Sequence, residues 1–198
     1  MIFSVVITAF VLVAPVELPD KTMFATLVLA SRFRPLPVLS GVSAAFALQC
    51  AIAVAAGSLL SLLPRDWVAL GVAVLFAVGA VLLWRSADET VDLEADTAAH
   101  KGWPAWRIAL ASFGITFLAE WGDLSQLATA GLAACFDAPV SVFVGSFAAL
   151  LLIASLAVFV GARLVARLPI KLVRRTAAVL FAVFAVLAAY EARSAFTG

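Results

Sequence analysis

Residues 16–26 read VELPDKTMFAT. Glu17, Asp20 and Lys21 fall within five positions, and Pro15 and Pro19 bracket the glutamate. The chain on either side is almost purely apolar. A carboxylate at a bilayer centre costs about 2.5–3.5 kcal/mol even on the lenient insertion scale. Such a run therefore either does not enter lipid or buries its charges against something that compensates them.

Composition places the run in lipid. Of 198 residues, 65% are hydrophobic, and mean hydropathy is +1.15. Soluble domains are roughly 45–50% apolar, so the excess calls for a membrane. At roughly 20 residues per span, the length holds six spans with short loops and no sizeable soluble domain. The net charge of +1 gives no ground for a nucleic-acid partner. Met1 to Phe10 contain no Lys or Arg, so the N-terminus reads as a first span and not as a cleavable signal.

Charge and proline clusters divide the apolar sequence. Spans are expected over about Ile2–Ala30, Val38–Leu63, Trp67–Trp84, Trp106–Phe136, Pro139–Leu164 and Lys171–Tyr190. The one polar segment, Arg85–Lys101, is acidic and reads as a solvated linker. Ten basic residues fall in alternate loops: Arg32, Arg34, Arg85, Lys101, Arg107, Arg163, Arg167, Lys171, Arg174 and Arg175. The other side keeps only Arg65 and Arg193. The positive face is expected to be cytoplasmic and both termini non-cytoplasmic, in an inner (plasma) membrane. Arg163 to Arg175 would anchor to the cytoplasmic leaflet.

The opening stretch recurs. VELPDKTMFATLVLASRF (16–33) aligns with AEWGDLSQLATAGLAACF (119–136) at an offset of 103. Gly41 and Gly57 match Gly145 and Gly161 at 104, and AVLFAVGAVL (73–82) matches AVLFAVFAVL (178–187) at nine of ten positions at 105. A near-constant offset over three successive helices predicts an all-α membrane protein of six helices. They form an inverted three-plus-three repeat, a transporter architecture with its site near the midplane. The parts are residues 1–85, an acidic cytoplasmic loop over 86–105, and residues 106–198. The four glycines read as sites of close helix contact.

Each half supplies a Glu and an Asp at i, i+3: Glu17 with Asp20, and Glu120 with Asp123. On a continuous helix that spacing puts both carboxylates on one face. Four carboxylates with Thr22, Ser125 and Gln126 form an all-oxygen set, which suits Ca²⁺, Mn²⁺ or Mg²⁺ and not Zn²⁺ or Cu⁺. For Thr22, Ser125 and Gln126 a helix–helix contact is an equal alternative. Thr26 and Thr129, one turn on, read as packing residues, as do Cys50 and Cys135. Trp121 either walls the site or packs. Pro15, Pro19 and Gly122 would loosen the helices there and free carbonyls for a cation. Lys21, whose counterpart is Leu124, reads as an internal ion pair with Asp20 or Glu120. Packed like charges away from water hold protons when no cation is present. Exchange of protons for a divalent cation is thus the minimal function of the cluster. An exporter of a small organic solute such as an amino acid, coupled to protons, is the alternative, although a substrate carboxylate would be repelled. An enzyme is not expected, because neither His nor Cys joins the cluster.

The two hexapeptides ELPDKT (17–22) and EWGDLS (120–125) resemble a motif of the small six-helix Ca²⁺/Mn²⁺ cation–proton antiporters, a family with Golgi cation exchangers and bacterial manganese exporters. That motif is Glu–apolar–Gly–Asp–(Lys/Arg)–(Ser/Thr), once per half, and the resemblance covers essentially the whole chain. It implies export of a divalent cation, Mn²⁺ favoured over Ca²⁺, in exchange for H⁺. No cofactor is implied, and the partners are membrane lipid and the cation substrate. This chain departs from the motif at Pro19, where the family has Gly, at Met23, where Gln often follows, and at Leu124, the basic position. The four acidic positions and Gln126 are kept.

Overall fold

The computed structural model describes residues 1–17, 26, 29–30, 33–86, 103–159 and 170–197. Seven helices lie among them: α1 (Phe3–Glu17), α2 (Pro35–Leu60), α3 (Arg65–Ser86), α4 (Ala105–Ala119), α5 (Leu124–Cys135), α6 (Pro139–Phe159) and α7 (Ile170–Thr197). The chain is all-α over these residues. Helix α2 starts three residues before the expected Val38, because a proline fits the first turn, where its missing N–H leaves nothing unsatisfied. Pro15 sits inside α1 without ending it. The Asp20, Lys21 and Thr22 positions, most of the acidic loop and the end of the fifth expected span lie outside the described residues.

Among the described residues, three helices are long and apolar enough to cross a membrane, Pro35–Leu60, Trp67–Arg85 and Pro139–Phe159. The outward surface is apolar as well: Ile7, Val11, Ile52, Val74, Val78, Leu152, Val183 and Val186 are all exposed. Water would penalise such a surface and lipid would not. The interior is packed with small residues and a few rings. Helix α3 lies along α7, α2 runs against α4, α5 and α6, and α1 runs against α6. Phe76 of α3 meets Phe181 of α7 edge-on, with ring centroids 5.1 Å apart.

Glycines set the closest helix contacts. A Cβ built on Gly41 would collide with the carbonyl of Ala109 in α4. One built on Gly145 would collide with the carbonyl of Val6 and come within 2.8 Å of the Ala9 Cβ in α1. Gly57 makes the same approach to Ala130 of α5. Without a hydrophobic force between helices in lipid, such backbone contact is a main source of association.

The expected single helix over Trp106–Phe136 is two helices. Helix α4 ends at Ala119, with Glu120 as its C-cap, and α5 begins at Leu124, with Asp123 as its N-cap. Gly122 causes the break by taking φ +79°, the left-handed region in which a Cβ is strained. Asp123 Oδ2 accepts from the Ser125 N–H at 3.2 Å, and the Gln126 Oε1 accepts from the Gly122 N–H at 2.8 Å. The first bond occupies an N–H that the helix start leaves without a partner, and the second ties Gln126 back to the turn.

At the ends that carry basic residues, rings and cations meet. Trp103 stacks on Phe33 at 6.1 Å and lies 5.3 Å from the Arg107 guanidinium; Trp84 lies 5.4 Å from that of Arg175. These contacts join Phe33 to the segment before α4, and the end of α3 to the start of α7.

Two substitutions test this packing. Gly41→Ala should destabilise the protein by about 1–3 kcal/mol, since a backbone carbonyl must move. Gly71→Ala, which meets nothing within 4 Å, should stabilise α3 by up to about 1 kcal/mol. Thermal melts in detergent would compare them. Gly122→Ala places its Cβ in open space, so its expected cost of about 1–2 kcal/mol isolates the strain of the positive φ.

Candidate cation site

The helix break sets the geometry of the site. Glu120 leaves the end of α4, Asp123 starts α5, and Glu17 ends the described part of α1. Carboxylate oxygens of Glu17, Glu120 and Asp123 all lie within 4.8 Å of one another. Glu17 and Glu120 are 1% and 4% exposed, so these charges are out of solvent and beside each other. Ionised together, they repel strongly at that range. A cation among them, or protons on them, removes the repulsion.

The pairing differs from the expectation at one point. Glu120 and Asp123 do not share a helix face, because no helix connects them. They come together across the helix break, where Gly122 takes a positive φ. The break also supplies dipoles. The C-terminal carbonyls of α4 carry partial negative charge toward the site, and the N-terminus of α5 carries partial positive charge at Asp123. One of the α4 carbonyls, that of Phe117, is taken by the Gln49 Nε2 of α2 at 3.2 Å.

A small cavity adjoins Glu120. It is lined by Gln49, Cys50, Glu120, Ser125, Gln126, Thr129 and Leu150, with room for about one water-sized sphere, roughly 10 Å³. Ser125 and Gln126 are thus at the site as expected. Both also serve the fold, Gln126 by its bond to Gly122 and Ser125 by accepting at its carbonyl from the Thr129 hydroxyl at 2.8 Å. Thr129, read as packing, lines the cavity, and its hydroxyl lies in hydrogen-bond contact with that of Ser146 of α6 at 3.1 Å. Cys50 is buried but faces the cavity, whereas Cys135 is exposed instead of buried. Trp121 does not wall the site: it is exposed and packs on the Phe117 ring at 5.1 Å.

Gln49 and Ser146 were missed by sequence reasoning. A glutamine within the apolar run of α2 is itself a signal of an intramembrane polar contact. Nothing in sequence spacing links Ser146 to Thr129, because α5 and α6 meet only through the tertiary fold.

Comparison with known proteins identifies the family. The family model described as the divalent cation/proton antiporter GDT1 matches residues 5–90 and 108–196. A GDT1-like protein of Synechocystis is 33% identical over 199 residues, covering 91% of this chain and 96% of its own length. A Vibrio cholerae protein named "Putative manganese exporter" is 31% identical over 195 residues, covering 96% and 92%. GDT1-like protein 5 of rice is 30% identical over 204 residues, covering 86% and 88%. No solved structure matches the chain. Two matched segments that each contain one acidic motif, with relatives aligned nearly end to end, place this chain in the GDT1 family of divalent cation/proton antiporters.

Proposed function

We propose that this chain exports a divalent cation from the cytoplasm in exchange for protons, with Mn²⁺ preferred over Ca²⁺. The observation that carries the reading is the convergence of Glu17, from the first half, with Glu120 and Asp123, from the second, inside 4.8 Å. Oxygens on opposite sides of a Ca²⁺ ion are about 4.6–5.2 Å apart, and around the smaller Mg²⁺ about 4.0–4.2 Å. The spread of the three carboxylates suits one ion of this size class. The preference for Mn²⁺ is supported by the name of the Vibrio relative and by the resemblance of the two motifs.

The ligand set consists of Glu17, Glu120 and Asp123, completed by Asp20 and by oxygens of Thr22, Ser125 and Gln126. Lys21 neutralises part of the acidic charge when the ion is absent. The chain folds as two inverted halves, residues 1–85 and 106–198, joined by the acidic loop. Two features support this. Residues equivalent by the repeat touch one another, Glu17 with Glu120 and Phe76 with Phe181. The glycine contacts also correspond, with Gly41 on Ala109 matching Gly145 on Val6. Such a two-fold arrangement lets the halves rock about a fixed midplane site. The basic end, where Arg107 and Arg175 meet the tryptophans, faces the cytoplasm of a plasma-membrane protein, and both termini face away.

Transport in proteoliposomes with an internal pH dye tests the proposal. Addition of Mn²⁺ should drive proton movement that Glu17→Gln and Asp123→Asn each abolish. No cation-dependent signal from folded native protein would overturn it. Protons and cation compete for the same oxygens, so the Mn²⁺ concentration giving half-maximal rate should rise as pH falls. A half-maximal concentration that does not change with pH would separate the proton from the carboxylates.

A further inference from the structure

Gln49 is the one amide side chain of α2 and lies near the middle of that helix. It is 4% exposed. At the repeat offset of 104 its equivalent is Ile153, a buried apolar residue of α6. An amide taken out of water is unfavourable unless its polar atoms find partners. The Gln49 Nε2 donates to the Phe117 carbonyl at 3.2 Å. In a continuous helix that carbonyl would accept from the Trp121 N–H. At the break the Trp121 N–H turns instead to the Leu118 carbonyl, at 3.5 Å. Gln49 thus fills a carbonyl that the end of α4 leaves open, in the turn that leads to Glu120.

The nitrogen's partner is an acceptor, so turning the amide over would set two acceptors against each other. The amide oxygen is therefore on the other branch. Gln49 Oε1 makes no hydrogen bond among the described residues. The side chain lines the small cavity together with Glu120, Ser125, Gln126 and Thr129. Glu17 and Asp123 do not line it, so the cavity lies to one side of the three converging carboxylates, next to Glu120. Its volume, roughly 10 Å³, suits one water, and its polar lining offers the about two to four partners that a held water needs. The Gln126 oxygen is already taken by the Gly122 N–H. Gln49 brings a second, uncharged acceptor to the edge of the cation site.

We infer that Gln49 sets the affinity and the selectivity of the cation site: its amide oxygen accepts a hydrogen bond from a water that fills the cavity and ligates the exchanged ion beside Glu120. This rests on the divalent-cation part of the reading above. Ca²⁺ takes about six to eight oxygens, and the smaller Mg²⁺ about six, several of them waters that it gives up reluctantly. A water on a divalent ion is a strengthened donor, so an acceptor opposite it holds both the water and the ion. The gain is larger for a small ion, which polarises its water more and keeps it more firmly. Gln49 therefore favours Mn²⁺ over the larger Ca²⁺ without adding charge to the site. Gln49 is a positioning residue, because it acts on the ion through the water. Its nitrogen meanwhile fixes the last turn of α4, from which Glu120 leaves. Ile153 carries no polar side-chain atom, so α6 gives Glu17 no equivalent support.

The test measures equilibrium Mn²⁺ and Ca²⁺ binding by the purified native protein and by Gln49→Met and Gln49→Glu. Gln49→Met nearly keeps side-chain volume and removes both polar atoms. Its Mn²⁺ dissociation constant should rise about tenfold or more, and its Ca²⁺ constant by less, so the preference for Mn²⁺ falls. Gln49→Glu keeps an oxygen at the cavity and should bind Mn²⁺ at the native value or more tightly. In proteoliposomes the loss in Gln49→Met should fall on the half-maximal Mn²⁺ concentration and not on the maximal rate of proton movement, the pattern of lost ground-state binding. A folded Gln49→Met with native Mn²⁺ affinity would overturn the inference. An equal loss for both ions would overturn it too, since that leaves only the bond to Phe117. Should Gln49→Met fail to fold, Gln49→Glu decides: Mn²⁺ binding weaker than native overturns the role of the oxygen, and native or tighter binding upholds it. Native protein that binds Mn²⁺ but moves no protons would remove the antiport reading and leave the role of Gln49 standing. Native protein that binds neither ion would remove both.

Discussion

Carboxylates that lie inside apolar helices, away from water, must find one another or a cation. That constraint governs the rest of the structure. Lipid offers no hydration to Glu17 or Glu120, and the same is true of the backbone groups exposed where a helix stops. The fold meets both demands in one place. Glu120 and Asp123 sit at a helix break, the break is capped by Asp123 and Gln126, and Gln49 bonds a carbonyl at the end of α4. Groups that would be unfavourable apart are compensated together.

Close packing makes this possible. The polar groups of the site come from α1, α2, α4 and α5, so their positions depend on how near those helices can come. Glycines at Gly41, Gly57 and Gly145 let backbones touch, which fixes helix spacing more firmly than interlocking long side chains would. A transporter must also change shape, and small-residue interfaces allow rigid elements to shift without repacking large side chains. The Trp84–Arg175 and Phe33–Trp103 contacts tie helix ends to one another.

A repeated motif need not mean repeated chemistry. Both halves give a glutamate to the cluster, but only the second shows a left-handed glycine among the described residues. The first half has Pro19 at the corresponding position. Ser112 and Thr116 of α4 are polar where the residues at the repeat offset on α1, Ala9 and Val13, are apolar.

The sequence by itself determined the membrane class, the boundaries of most helices, the internal repeat and the acidic positions. Each depends on local composition or on a pattern that repeats at fixed spacing. The family, too, was legible there, because the two hexapeptides are contiguous. Sequence could not reveal that the helix over Trp106–Phe136 is broken. Apolar composition resumes on both sides of Glu120–Asp123, and a glycine in a helical pattern is often tolerated without a break. It could not link Thr129 to Ser146 or Gln49 to Phe117 either, since those pairs are 17 and 68 residues apart. The tertiary structure decided which oxygens converge and which helices the buried polar residues join. Both follow from how closely whole helices approach, a property that belongs to the packed bundle and not to any one segment.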